Sequence, residues 1–274
     1  MHIAHPLKLT ILTPSFNQGS YIEQTIRSVL SQNYQPVEHI IIDGGSTDST
    51  VGVLKQYPHL LWVSEKDRGQ ADALNKGFAR ATGDIIGWIN SDDYYEHNIF
   101  ESVAECFQDP NIMWVIGNLT YVFDQTMELA PDRSPHVTFD RLVRNPDIVR
   151  QLHTFFRKTF LERAGGWNPD YFMAMDFDLW IRLAKVSSPR MVESNCAYFR
   201  LHTLQKTSHA NILRQKKEIV AILRREHVPW TAIATICLWK RWFWMKGLIK
   251  ELLMNAGIIS EKYRSRSIRS KTAG

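Results

Sequence analysis

The sequence predicts an α/β fold: a mostly parallel central sheet flanked by helices, with the functional site at the carboxyl ends of the strands. Three observations carry this. Short apolar runs alternate with helix-length amphipathic stretches over the first 95 residues, as in strand–helix–strand crossovers. Each of the first four runs ends in a polar cluster. Two of those clusters hold paired acids, and ligands bind such sheets outside the carboxyl ends of the strands.

The elements follow in order. LKLTILT (7–13) is a short apolar strand, and SYIEQTIRSVLSQ (20–32) a helix with Ile22, Ile26, Val29 and Leu30 on one face. VEHIIID (37–43) is a second strand. TDSTVGVLKQY (47–57) opens on a capping-type Thr-Asp pair and reads as a helix. HLLWVSE (59–65) is a third strand. GQADALNKGFARA (69–81) is a helix with Leu74, Phe78 and Ala81 inward, and GDIIGWIN (83–90) a fourth strand. The strand ends carry Thr13-Pro14-Ser15-Phe16-Asn17, Asp43-Gly44-Gly45-Ser46-Thr47-Asp48, Glu65-Lys66-Asp67-Arg68-Gly69-Gln70 and Asn90-Ser91-Asp92-Asp93. All four clusters should meet at one sheet edge. Beyond residue 96, ESVAECF (101–107) and MDFDLWIRLAKV (175–186) are helical. IMWVIGNLTYVF (112–123) and VESNCAYFRLH (192–202) are strands. This half extends the sheet and shapes a second pocket.

Composition sets the wider bounds. The 274 residues are 44% hydrophobic and 22% charged, ordinary for a soluble globular protein. Cys106, Cys196 and Cys237 are scattered with no zinc spacing, which points to a reducing compartment. MHIAHPLKLT lacks a signal-peptide pattern. A cytoplasmic location is expected, with peripheral attachment to the inner face of the plasma membrane as an addition. That addition comes from the charge split. Residues 211–274 carry 14 Lys/Arg against 4 Asp/Glu, while residues 1–210 carry 19 against 24. LWKRWFWMKGLIKELL (238–253) is amphipathic and rich in Trp, suited to an anionic membrane or to packing on the body. The 13 uncharged residues of HVPWTAIATICLW are too few to span a bilayer. Nothing supports a nucleic-acid partner.

TPSFNQGSYIEQTIRSVLSQ, IIDGGSTDST, GQADALNKGFARATGDIIGWINSDD, GGWNPDYF, MDFDLWIRLA and FRLH occur in the order and spacing of the family-2 glycosyltransferases. The resemblance covers about residues 7–205 and implies a GT-A fold. Residues 1–210 would be the catalytic domain, with a nucleotide-sugar half (1–95) and an acceptor half (96–210). Residues 211–274 would be a basic amphipathic helical tail. The resemblance implies transfer of a sugar from a nucleotide-sugar donor, expected to be a UDP-sugar, to a saccharide or lipid-linked glycan, with inversion, as in cell-surface polysaccharide synthesis. Thr13, Pro14, Ser15, Asn17 and Asp43 would form the base and ribose side. Gln70, Asp72 and Asn75 open a helix that would face the donor. Many members carry a second acid after the first Asp of IIDGGS; here it is Gly44, which leaves the base open.

The acid cluster at the fourth strand end resembles the family's metal motif with its first acid replaced by Asn90. Asp93 would ligate Mg²⁺ or Mn²⁺, His202 would add a metal or phosphate contact, and Asp92 would touch the ribose or reach the metal through water. A divalent cation suits this chemistry because a nucleoside diphosphate leaves with growing charge. Asp176 aligns with the family's catalytic base, and Asp178 would orient a neighbour such as Arg182. His153, Trp167 and Trp180 are acceptor-side candidates; for both tryptophans, sugar stacking and core packing stay open. Two other readings remain. A sugar nucleotidyltransferase would need a Gly-rich, Arg-containing loop that TPSFNQGS lacks. An inactive nucleotide-sugar-binding module would fit the two missing acids.

Overall fold

A computed structural model of the chain describes residues 6–124, 126–202, 206 and 211–235. Strands β1 (Leu9–Ser15), β2 (Val37–Asp43), β3 (Leu61–Ser64) and β4 (Ile85–Trp88) are parallel and lie in the order β3-β2-β1-β4. Helices α1 (Ile22–Leu30), α2 (Thr50–Leu54) and α3 (Gln70–Phe78) make the crossovers. The chain moves outward from β1 through β3, then returns to place β4 on the other side of β1. This reversal opens a crevice at the carboxyl ends of β1 and β4.

The second half completes the sheet with β5 (Tyr94–Tyr95), β6 (Trp114–Phe123), β7 (Glu128–Asp132), β8 (Thr154–Arg157) and β9 (Arg190–Leu201). The full order is β3-β2-β1-β4-β8-β6-β9-β5, with β7 paired to β6. β8 runs antiparallel between β4 and β6, while β6 and β9 are parallel. Helices α4 (Ile99–Cys106), α5 (Phe139–Arg144), α6 (Lys158–Ala164), α7 (Met175–Ala184) and α8 (Ile212–Arg225) lie among these strands and after them.

Local chemistry explains the bounds. Every residue of β1 is buried, as expected for a central strand covered on both faces. Gly77 lets α3 press on the sheet: a Cβ there would meet Ile42 and Leu12 side chains at 3.3 Å. Ile22, Ile26 and Val29 of α1 are buried, but Leu30 is 53% exposed where the helix ends. α2 has five residues, fewer than predicted, and holds Gly52 in its middle. β7, α5 and α6 have short runs that lack a clear period in the sequence. In β7, Pro131 and two acids sit on a strand paired on one side.

α8 revises the expected domain division. Its Ile219, Ile222 and Leu223 join the core that also holds Leu179, Trp180 and Leu183 of α7. Arg225 pairs with Asp178, and Glu218 accepts the backbone N–H groups of Phe172, Met173 and Ala174. Residues 212–225 therefore pack into the same core as α7. Residues 236–274, with the amphipathic stretch 238–253, lie outside the described residues. Among the described residues, no helix is long and apolar enough to cross a membrane.

One buried hydroxyl ties α1 to the end of β4. Thr25 Oγ1 lies 3.0 Å from the carbonyl of Ser91 and 2.6 Å from that of Asp93. Thr25→Val keeps the shape and removes the donor. It should cost about 1–3 kcal/mol in a urea melt, the usual range for orphaning a buried acceptor.

Candidate functional site

The chain leaves β4 through Asn90-Ser91-Asp92-Asp93 in a turn closed by Asp93 N–H to Asn90 O (3.2 Å). Asn90 Oδ1 accepts from Trp88 Nε1 (3.1 Å) and Gln70 Nε2 (2.6 Å). Arg200, on β9, braces the turn from the other side. Its Nε donates to Asp92 O at 3.1 Å, and its backbone N–H donates to Asp93 Oδ1 at 3.1 Å. Its guanidinium also pairs with Asp124 and Gln24 and lies over the Tyr21 and Tyr94 rings.

The two acids have different surroundings. Asp93 is 2% exposed, and its second oxygen accepts from Gln151 Nε2 at 3.3 Å. Burial, and then the charge of Asp92, push its carboxyl well above the ordinary range, against the pull of Arg200. Both of its oxygens are committed to the fold. Asp92 lines the cavity, with Oδ2 3.1 Å from His202 Nε2. His202 sits behind Asp92, buried, with its ring 4.5 Å from that of Tyr21.

The cavity has a volume of about 430 Å³. Its walls include Pro14, Ser15, Gln70, Asp92, Asp93 and Asp176 of the predicted residues, together with Phe16, Asp67, Asp147, Arg150 and Lys206. Asp176 stands in the first turn of α7, and its Oδ1 accepts the N–H of Phe177 at 2.8 Å. Burial raises its pKa, while that hydrogen bond and Arg150 oppose the rise. Asp178 turns the other way, fully buried and paired with Arg182 at 2.8 Å and with Arg225. Two acids two residues apart on a helix thus serve a cavity and a core.

Several predicted residues hold the walls instead of lining them. Thr13 is buried with its hydroxyl 3.0 Å from His39 Nε2. Asn17 joins two loops: its N–H donates to Ser46 Oγ and its Oδ1 accepts from Thr47 N–H. Asp43 is fully buried and accepts from Gly45 N–H, Ser46 N–H, Ser46 Oγ and Ser64 Oγ, which saturates it. Asp72 pairs with Arg68 and Lys76 outside the cavity. Asn75 bonds the backbone of Trp167 on both sides.

The acceptor-side candidates lie in the core, one of the two readings open for the tryptophans. Trp180 is fully buried between the rings of Trp114 and Phe156, at 6.0 and 5.7 Å. Trp167 is 1% exposed and meets Trp88 edge to face at 5.5 Å. Neither presents a ring face to a sugar. His153 is buried with Nε2 3.1 Å from Arg150 N–H and Nδ1 3.3 Å from Ser134 Oγ. Burial drops its pKa to about 3, so it is a neutral core residue.

Arg150, Gln151, Arg200 and Lys206 escaped the sequence reading. Arg200 lies inside the FRLH stretch and could have been found there. Lys206 carries no motif; its Nζ donates to Phe172 O (2.6 Å) and Gln70 Oε1 (3.1 Å). Burial lowers its pKa to about 8, against the pull of Asp176.

The donor set limits what metal could bind. Among the described residues, no group of three or more His, Cys, Asp or Glu is placed to hold an ion. Asp92 and His202 do place an oxygen and an imidazole nitrogen 3.1 Å apart. His202 Nδ1 is buried with no partner among the described residues, so the ring is not locked in one tautomer. This pair fits a cation that takes its other ligands from phosphate and water. It does not fit an all-protein cage.

Comparisons with known proteins agree with this architecture. An uncharacterized glycosyltransferase of Mycobacterium tuberculosis is 28% identical over 225 residues, 79% of this chain and 82% of the relative. The chondroitin synthase of Escherichia coli is 22% identical over 81% of this chain, which matches only 34% of that enzyme. The mannosyltransferase of Pyrobaculum calidifontis, solved with GDP-Man and Mn²⁺, has the same fold at a TM-score of 0.60. It is 18% identical, covering 96% of this chain and 83% of that one. The profile of glycosyl transferase family 2 matches residues 10–182. With a GT-A-type sheet and an acid cluster at its switch point, this chain is a glycosyltransferase belonging to glycosyl transferase family 2.

Proposed function

We propose that the protein moves a sugar from a nucleotide-sugar donor to a glycan acceptor with inversion, using a divalent cation. The observation that carries this is that Asp176 and Asp92 line one cavity. The charge balance supports the cation: among the described residues, the charged groups lining the cavity are Asp67, Asp92, Asp93, Asp147 and Asp176 against Arg150 and Lys206. An anionic diphosphate would enter an acidic site unless positive charge came with it.

In this reading Asp176 takes the proton from the acceptor hydroxyl as that oxygen attacks the anomeric carbon. Arg150 and Lys206 flank it and offer charge to the departing diphosphate. Asp92 and His202 would hold Mg²⁺ or Mn²⁺, which when bound neutralises charge on the leaving group. Asp93 keeps Asp92 in place and is not itself a ligand. Phe16, 60% exposed on the cavity wall, offers a face to the base. The acceptor is a saccharide or lipid-linked glycan of a surface polysaccharide. The similarity to a chondroitin synthase supports a polymer-building role. The Mn²⁺-bound and GDP-Man-bound mannosyltransferase supports a metal and a nucleotide sugar.

The reading is tested by incubating the protein with nucleotide sugars, Mn²⁺ and glycan acceptors and measuring nucleoside diphosphate release. Asp176→Asn should lower kcat about 100- to 10,000-fold, the usual worth of a general base. Donor binding without turnover in the wild type would instead favour an inactive binding module.

Asp92→Ala and Asp93→Ala should separate. The first should abolish Mn²⁺-dependent donor binding while leaving the thermal midpoint near wild type. The second should lower stability by about 1–3 kcal/mol, because two buried donors lose their acceptor. Equal loss of metal binding with no change in stability would return the ligand role to Asp93.

The pH profile of kcat/KM follows from the two cavity groups. The base works deprotonated, so activity falls as pH drops through its raised pKa. The acid limb should therefore lie above the ordinary aspartate value of 3.8, and Arg150→Met should move it higher. Lys206 works protonated, so an alkaline limb near pH 8 is expected, and Lys206→Arg should remove it from the measured range.

A further inference from the structure

Helix α8 has two unlike faces. Gln215 and Ile219 line the cavity, and Ile219, Ile222 and Leu223 enter the core. On the opposite side Leu213, Lys217, Ala221 and Arg224 are exposed. Their spacing of i, i+4, i+8 and i+11 makes one stripe along the helix. At 1.5 Å per residue the stripe is about 16 Å long. Leu213 is 71% exposed at one end. At the other end the Arg224 guanidinium lies 4.2 Å from the centre of the Trp230 ring, and Trp230 is 58% exposed. Ile233, within a turn of Trp230, is buried in the core that holds α7 and α8, which fixes where Trp230 stands.

The charge of this helix is one-sided. It carries Arg214, Lys216, Lys217, Arg224 and Arg225 against a single acid, Glu218. Glu218 is committed to three backbone N–H groups and to Arg214. Arg225 pairs with Asp178 and Glu226. Lys216, Lys217 and Arg224 have no ion-pair partner among the described residues. The chain beyond Thr235 continues the bias, with nine Lys/Arg against two Asp/Glu in residues 236–274. A face in contact with water alone gains nothing from Leu213 and Trp230. At a lipid surface, long cationic side chains lay their stems along apolar material and reach phosphates with their heads. Trp rings settle at the headgroup level.

We propose that the outward face of α8, from Leu213 to Trp230, docks on an anionic lipid bilayer. Lys217 and Arg224 meet the headgroup phosphates, and Leu213 and the Trp230 ring enter the interfacial layer. Gln215 and Ile219 point the other way, so one helix diameter, about 10 Å, separates the cavity wall from the lipid. The assignment is independent of the donor and of the reaction.

The test is co-sedimentation of the full chain with vesicles of phosphatidylcholine alone and of phosphatidylcholine mixed in equal parts with phosphatidylglycerol. Wild type should sediment with the mixed vesicles and stay in solution with phosphatidylcholine. Each cation at such a surface strengthens binding about fivefold. The double variant Lys217→Gln, Arg224→Gln should therefore bind about 25-fold more weakly. Trp230→Ala should bind at least about fivefold more weakly, through lost apolar contact. All three side chains are exposed, so thermal unfolding should match wild type. Lys55→Gln with Arg80→Gln removes the same charge from exposed positions beside α2 and α3 and should leave binding unchanged. An equal loss in that control would overturn the docking face in favour of general charge attraction. A wild type that sediments with both vesicles alike, or with neither, would also overturn it. So would α8 variants that bind as wild type does, a result that assigns the lipid contact to residues 236–274.

Discussion

The site depends on the burial of one carboxylate. Asp93 sits almost without solvent at the end of β4, next to an acid that faces the cavity. An unpartnered buried carboxylate is costly, so the surrounding elements are arranged to hold it. The backbone N–H of Arg200 comes from β9, the Gln151 amide precedes β8, and Thr25 reaches from α1 to the turn's carbonyls. Three distant parts of the chain therefore meet at one turn. With that turn fixed, Asp92 has a defined direction and His202 can lie against it. In chain order the pair is an acid at the cavity, Asp92, followed by a buried anchor, Asp93.

A second dependency runs through α8. The loop that delivers Asp176 ends in three N–H groups, those of Phe172, Met173 and Ala174, just before α7. Such orphan donors at a helix start need acceptors, and Glu218 takes all three. Burial pushes the Glu218 carboxyl up, but the donors from Met173 and Ala174 and the Arg214 contact hold it below the ordinary glutamate value. A helix outside the matched family region, which ends at residue 182, thereby sets where the start of α7 and Asp176 stand. Its opposite end repeats the pattern, with Arg225 on the buried Asp178.

Much of the fold was legible because its causes are local. Alternating apolar runs set β1 to β4 within two residues at each end, and the polar strand ends identified the correct sheet edge. What stayed hidden depends on contacts far apart in sequence. Asp43 looks like a ligand residue in IIDGGS, but Ser46 and Ser64 use it to tie two strand ends together. Asp92 and Asp93 are alike in sequence; only β9 and the 151–153 turn tell them apart. Trp167 and Trp180 could have been stacking platforms, and the deciding neighbours are Trp88, Trp114 and Phe156. Lys206 follows no pattern at all.

Asn90 shows why one departure from the family motif is compatible with an active site. Its carbonyl oxygen accepts from Trp88 and Gln70. Gln70 then turns its own oxygen to Lys206. This chain of amides needs an acceptor at position 90 and no charge. An aspartate there would satisfy the same donors and add another negative group to a cavity that already holds five aspartates. Its charge would also oppose ionisation of Asp176, whose pKa burial already raises. With Asn90, the wall keeps its geometry without a further negative charge.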